Sequence, residues 1–86
     1  MTDSIQNDLI TYLEDAIPPG VAVSKIELDT DLIGTGVIDS FGIVGVIEFM
    51  EERYGITVAD EDIDPEIFRN VRSIEAYVQT EQGGAP

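Results

Sequence analysis

One segment of this chain has a single apolar face and clear punctuation at both ends, and it limits the possible folds more than any other feature. Between Asp39 and Gly55, the residues Ile43, Val46, Ile47, Met50 and Tyr54 recur at helical spacing. At about 100° per residue they fall on one side of a helix, so the pattern predicts a helix over 40–54 with that side buried. Asp39 suits the capping position, because its carboxylate can accept from the unpaired backbone N–H groups of the first turn. Gly55 suits the residue just past the end, where the left-handed backbone is common. Ser40 then stands in the first turn, at the positive end of the helix dipole. A phosphate placed there would meet free N–H donors.

The rest of the chain reads as further helices around this one. Over 4–17, Ile5, Leu9, Leu13, Ala16 and Ile17 line one face, while Gln6, Asn7, Thr11, Glu14 and Asp15 take the other. Asp3 with Gln6 gives a capping-box-like start. Pro18-Pro19-Gly20 stops that helix, since neither proline can continue its hydrogen-bond ladder. The stretch 21–39 lacks strong periodicity but is rich in Val, Ile and Leu, so it predicts a long loop packed across the helices, with one short turn near 31–33. Gly34 and Gly36 provide the turns that deliver Asp39 and Ser40 to the surface. Asp64-Pro65 predicts a brief third helix over 65–70, offering Ile67 and Phe68 to the core. Ser73 is placed as the cap of a fourth helix, which turns Ile74, Tyr77 and Val78 inward. The expectation is an all-α four-helix bundle with a short third helix, a single domain over 1–80 and a disordered tail over 81–86.

Charge and missing residue types exclude several function classes. Four Lys and Arg against 18 Asp and Glu give a net charge of −14, the wrong sign for binding nucleic acid or an anionic membrane. Basic protein partners are the complement. With no histidine, Ser40 lacks an imidazole base, and its surroundings are not Gly-x-Ser-x-Gly, so a hydrolase nucleophile is disfavoured. With no cysteine there is no disulfide and no thiolate metal site. Met1-Thr2-Asp3-Ser4 carries no basic or apolar leader, and the nearly apolar run 41–47 is too short to span a bilayer. The expected state is a cytoplasmic monomer that is not an enzyme.

Asp39-Ser40-Phe41, approached through Leu32-Ile33-Gly34-Thr35-Gly36-Val37-Ile38, resembles the phosphopantetheine attachment site of acyl and peptidyl carrier proteins, and the likeness extends over about 4–78. The resemblance implies that Ser40, with Asp39 beside it, receives a 4′-phosphopantetheine arm from coenzyme A. It also implies that the arm's thiol holds acyl or aminoacyl cargo as a thioester. The implied partners are a phosphopantetheinyl transferase and the ligases, synthases or transferases that load and use the cargo through basic docking surfaces. On the helical projection Phe41, Gly45, Glu48 and Glu52 lie beside Ser40, bordered by Val44 and Glu51. This is an apolar anchor with an acidic rim, on the helix that the family uses for docking. Val44, Gly45 and Ile47 suggest a groove along the same helix that shelters apolar cargo.

The subtype and the rival readings rest on particular residues. Gly42 and Gly45 stand where fatty-acid carriers commonly present acids, and each costs about 1 kcal/mol against alanine in a helix. Asp-Ser-Phe-Gly resembles D-alanyl carriers, whereas Asp64-Pro65-Glu66-Ile67-Phe68 resembles stand-alone carriers of polyketide and nonribosomal-peptide pathways. A fatty-acid-like cargo also stays open. The rival from another class is a cofactor-free acidic interaction module using the Phe41, Glu48 and Glu52 face. Asp60, Asp62 and Asp64 match the start of an EF-hand loop, but Pro65 stands at the glycine position and Val71 at the bidentate acid, so no metal site is expected. Gly34-Thr35-Gly36 lacks the rest of a nucleotide-binding loop.

Overall fold

The computed structural model describes residues 2–23, 25–59, 61 and 63–83, with the side chains of Thr2, Asp3, Ser4 and Ser40 outside the description. Three helices carry the fold: α1 (Thr2–Asp15), α2 (Ser40–Tyr54) and α3 (Val71–Gly83), with no strand among the described residues. The all-α expectation is met, and α2 has the bounds that its sequence predicts. No helix among the described residues is long and apolar enough to cross a membrane.

The core is built from one face of each helix and from the loop between α1 and α2. Ile5, Leu9 and Leu13 of α1, Val46 and Met50 of α2, and Val71, Ile74 and Val78 of α3 are buried, with Phe68 fully enclosed among them. Ile43, Ile47, Tyr54, Ile67 and Tyr77 pack half-buried against this centre. α1 ends at Asp15, so Ala16 is exposed rather than inward, and Ile17 is half-buried in the turn that follows. Gly20 takes a positive φ of 91° after the two prolines, completing the reversal.

The loop over 21–39 is a structural layer. Ile26, Leu32, Val37 and Ile38 are buried in the core. Its backbone is tied down at two points: the Ile26 N–H donates to the Glu14 carboxylate at 2.9 Å, and the Leu32 N–H to the Arg69 carbonyl at 2.8 Å. The expected turn lies at 31–36, where the Thr35 N–H donates to the Asp31 carbonyl at 3.0 Å and the Gly34 N–H to the Asp31 carboxylate at 2.8 Å. Gly36, at φ 87°, redirects the chain so that Val37 and Ile38 point inward and Asp39 outward.

Two expectations are corrected at the carboxyl-terminal end. Residues 65–70 form overlapping turns, not a third helix. Asp64 does accept from the Glu66 N–H at 2.9 Å, as a cap would. However, the Ile67 and Phe68 N–H groups donate three residues back, to the Asp64 carbonyl at 2.9 Å and the Pro65 carbonyl at 3.2 Å, which is the bonding of turns. Six residues gain too few ladder bonds to outweigh nucleation. The cap of α3 is Asn70 rather than Ser73. Asn70 Oδ1 accepts from the Ser73 N–H at 2.8 Å while Ser73 Oγ accepts from the Asn70 N–H at 3.2 Å, a reciprocal capping box. α3 continues through Gly83, into the stretch expected as tail; Gly84, Ala85 and Pro86 lie outside the described residues.

Candidate functional site at the start of the second helix

Everything about the start of α2 fixes the position of Ser40. Asp39, in extended backbone at φ −109° and ψ −171°, turns its carboxylate over the helix end and accepts from the Phe41 N–H at 3.1 Å and the Gly42 N–H at 2.7 Å. Ile38, one residue earlier, is buried and its N–H donates to the Leu32 carbonyl at 2.9 Å, so the strut that precedes the cap is anchored in the core. Ser40 is therefore the first helical residue, held between a capped turn and a buried isoleucine. The Ser40 side chain lies outside the described side chains.

The expected docking residues divide into two groups. Phe41 is 88% exposed and Val44 56%, and Glu48 and Glu52 are also exposed. At spacings of three and four these share one face of α2. Glu51 and Gly45 are turned elsewhere, which corrects their placement on the free face. Glu51 is half-buried, and its carboxylate accepts from the Val58 N–H at 3.0 Å, tying down the strut after α2. Gly45 faces α1, where a Cβ would stand 2.8 Å from the Tyr12 hydroxyl. Val44, Gly45 and Ile47 consequently do not share one groove.

On that α1 side lies a cavity of about 130 Å³, with Tyr12, Ala16, Val37, Asp39, Gly42 and Gly45 among its walls. Sequence reasoning assigned no role to Tyr12 or Phe49, whose rings stack at 4.4 Å across the α1–α2 seam. Tyr12 lies beside Ile5 and Leu9 on the helical projection, so spacing did carry a signal for it, whereas Phe49 lies off the α2 stripe and gave none. The absence of side chains at Gly42 and Gly45 was a second pointer to the seam. Farther along it, Asp8 pairs with Arg53 at 3.1 Å and accepts from the Tyr54 hydroxyl at 3.2 Å. Burial first, then the Asp8 charge and this hydrogen bond, push the Tyr54 phenol up to about 12.

No group of acidic side chains among the described residues is arranged to hold a metal ion. Asp60 and Asp62, two of the three aspartates weighed above, lie outside the described residues.

Comparison with known proteins decides what this arrangement belongs to. The family model described as "Phosphopantetheine attachment site" matches residues 18–78, which includes the loop, all of α2 and most of α3. The chain is a member of that family. It is also 30% identical over 76 residues to an acyl carrier protein of Rhodococcus erythropolis (strain PR4 / NBRC 100887), covering 86% of this chain and 81% of that protein. Among solved structures, it resembles a chain in one titled "Crystal structure of FAD-dependent dehydrogenase" with a TM-score of 0.70 and 25% identity. The likeness covers 83% of this chain and 99% of the other. The protein is thus a carrier and not an enzyme, its cofactor is 4′-phosphopantetheine, and its work involves partner enzymes. The site suits that cofactor: the Asp39 cap leaves Ser40 first in the helix, at the positive end of its dipole.

Proposed function

We propose that Ser40 is the attachment point, and that the loaded protein carries acyl or aminoacyl groups between enzymes of a fatty-acid-like, polyketide or nonribosomal-peptide pathway. The supporting observation is the Asp39-capped start of α2, with Ser40 first in the helix and Phe41 almost wholly exposed beside it. In the attachment step the Ser40 oxygen bonds to the outer phosphorus of the coenzyme A pyrophosphate. The phosphoanhydride bond breaks, 3′,5′-ADP leaves, and the serine proton passes to a base of the transferase. The chain has no histidine or cysteine, so the base and the Mg²⁺ site belong to that enzyme. Once attached, the arm supplies a thiol that holds the cargo as a thioester. Phe41 and Val44 form the apolar centre of the docking face, and Glu48 and Glu52 its acidic rim toward basic partners.

Intact-protein mass spectrometry with coenzyme A, Mg²⁺ and a broad-specificity transferase tests the attachment. A single pantetheine mass gain is expected in the wild type and none in Ser40→Ala. A gain that persists in Ser40→Ala would move the attachment elsewhere, and no gain in either protein would favour the interaction-module reading.

A D-alanyl-type cargo is the alternative favoured by Asp-Ser-Phe-Gly. A redox partner is favoured by a different observation. Because this chain covers nearly all of the chain matched in the dehydrogenase structure, that chain is itself carrier-sized. It supports presentation of the tethered acyl group to a flavin-dependent dehydrogenase. Loading the arm with saturated acyl and aminoacyl groups in turn, and following flavin bleaching on mixing with such an enzyme, discriminates between them.

A further inference from the structure

We propose that the open groove between α1 and α2 receives an arginine side chain presented by a partner protein. This surface is separate from the attachment point and stands whether or not Ser40 carries the arm. Among the described residues no Cα of α1 lies within 8 Å of one of α2, so the two helices meet through side chains. Asp8, Thr11, Tyr12 and Asp15 recur at spacings of three and four along α1, and Phe49, Glu52 and Arg53 do so along α2. Between the two stripes runs a groove of about 350 Å³, with Tyr12, Asp15 and Phe49 among its walls. Phe49 and Arg53 are shared with a neighbouring groove of about 320 Å³, which Glu52 completes.

The walls of this groove attract a cation. The Tyr12 and Phe49 rings stack at 4.4 Å, and Tyr54 meets Phe49 edge-on at 6.1 Å, so the aromatic wall is held in place. A cation near the face of such a ring is drawn to its quadrupole. Arg53 adds no free charge, because two of its nitrogens donate to the two Asp8 carboxylate oxygens at 3.2 and 3.1 Å. Asp15 and Glu52, in contrast, are exposed and have no partner among the described residues. Asp15 also stands at the negative end of the α1 dipole, and the last turn has no basic residue to offset it. Two uncompensated acids therefore flank an aromatic wall, one of them placed where its own helix disfavours it.

A guanidinium fits these walls better than an ammonium. It is planar, stacks on a ring and reaches a carboxylate with forked donors, and the Asp8–Arg53 pair already shows that pairing inside the groove. The chain's other arginines are engaged elsewhere, Arg69 with Glu66 and Arg72 with Asp29, so the guanidinium comes from another molecule. Charge complementarity makes that molecule a basic protein, since a surface of net charge −14 steers such partners toward it. Continuity places it as well. Glu52 borders the groove and shares the exposed face of α2 with Glu48, one turn away, so a partner seated on that face reaches the groove directly.

NMR titration of the isotope-labelled full chain at constant ionic strength tests the pocket. The probe is a blocked pentapeptide with one arginine among alanines, and its counterpart carries citrulline, which keeps the shape and loses the charge. Saturable shifts are expected at the Tyr12 and Phe49 rings with the arginine peptide, and binding about fivefold weaker or worse with citrulline. Asp15→Asn combined with Glu52→Gln, both at exposed positions, is expected to raise the Kd for the arginine peptide about fivefold or more. Glu61→Gln combined with Glu81→Gln removes the same charge from exposed acids that border neither groove, and is expected to leave the Kd within about twofold. Equal effects of the two double variants would show the peptide following net charge alone and would overturn the proposal. Equal binding of the citrulline peptide, or shifts confined to residues outside the groove, would overturn it too.

Discussion

Asp39 shows how much a single side chain carries here. Its carboxylate closes the first turn of α2 through two backbone N–H groups, and it does so next to the residue that the proposed chemistry needs. Asp39→Ala is expected to cost about 1 kcal/mol, as losses of N-caps do, and to slow arm attachment by fraying the turn that holds Ser40. Urea unfolding and a transferase time course measure the two effects separately. Tyr54 gives a pH signature. Its folded pKa, about 12, lies above the ordinary phenol value, so the neutral form is favoured by folding. That contribution is complete below about pH 10 and lost as pH rises from there towards 12. Tyr54→Phe is expected to flatten this alkaline fall in urea midpoint. An equally steep fall in the variant would place its origin elsewhere. Glu75 is a buried carboxylate with one oxygen bonded by the Gln6 amide at 3.0 Å and the other without a partner among the described residues. Gln6→Ala removes that bond and is expected to cost about 1–3 kcal/mol, read from the shift in unfolding midpoint.

At the scale of elements, α2 divides its labour by face. Val46 and Met50 hold it to the core, Gly42 and Gly45 to the seam, and Phe41 and Val44 are left to solvent. Phe41→Ala is expected to leave the unfolding midpoint within about 0.5 kcal/mol of wild type, because an exposed ring contributes little to the fold. It is expected to raise the KM of the transferase or of a loading enzyme by about tenfold or more, since an exposed aromatic is the usual anchor of an interface. A destabilised variant with unchanged KM would deny the face its docking role. The end of α2 depends on Gly55, whose φ of 68° is costly for any other L-residue. Its N–H closes the last turn on the Glu51 carbonyl at 3.0 Å, while the Glu51 carboxylate takes the Val58 N–H. Helix end and following strut are thus fastened by one residue that the helical projection alone had placed on the partner face.

For the whole molecule, the loop is what makes three helices into one body. It contributes Ile26, Leu32, Val37 and Ile38 to the same core as the helices and links Leu32 to Arg69, far along the chain. Between α1 and α2 the contact is made by the Tyr12 and Phe49 rings and the Asp8–Arg53 ion pair. The surface, at net charge −14, repels itself, so moderate salt is expected to raise the melting temperature and at the same time to slow encounter with basic partners.

The residue sequence by itself determined what depends on near neighbours: the span of α2, its Asp39 cap and Gly55 stop, a turn beginning near 31–33, and the apolar content that forces the loop inward. These follow from hydrogen bonds closed within a few residues and from period, and the family motif is written in the same local code. Tertiary structure decided everything set by competition between distant groups. Residues 65–70 close as turns, and Leu32 from the distant loop holds their far end through the Arg69 carbonyl. Glu51 leaves the docking face because Val58 presents an N–H to it, and Gly45 leaves it because Tyr12 reaches across from α1. A helical projection assigns each residue a direction, but what stands in that direction is set only when the rest of the chain has folded around it.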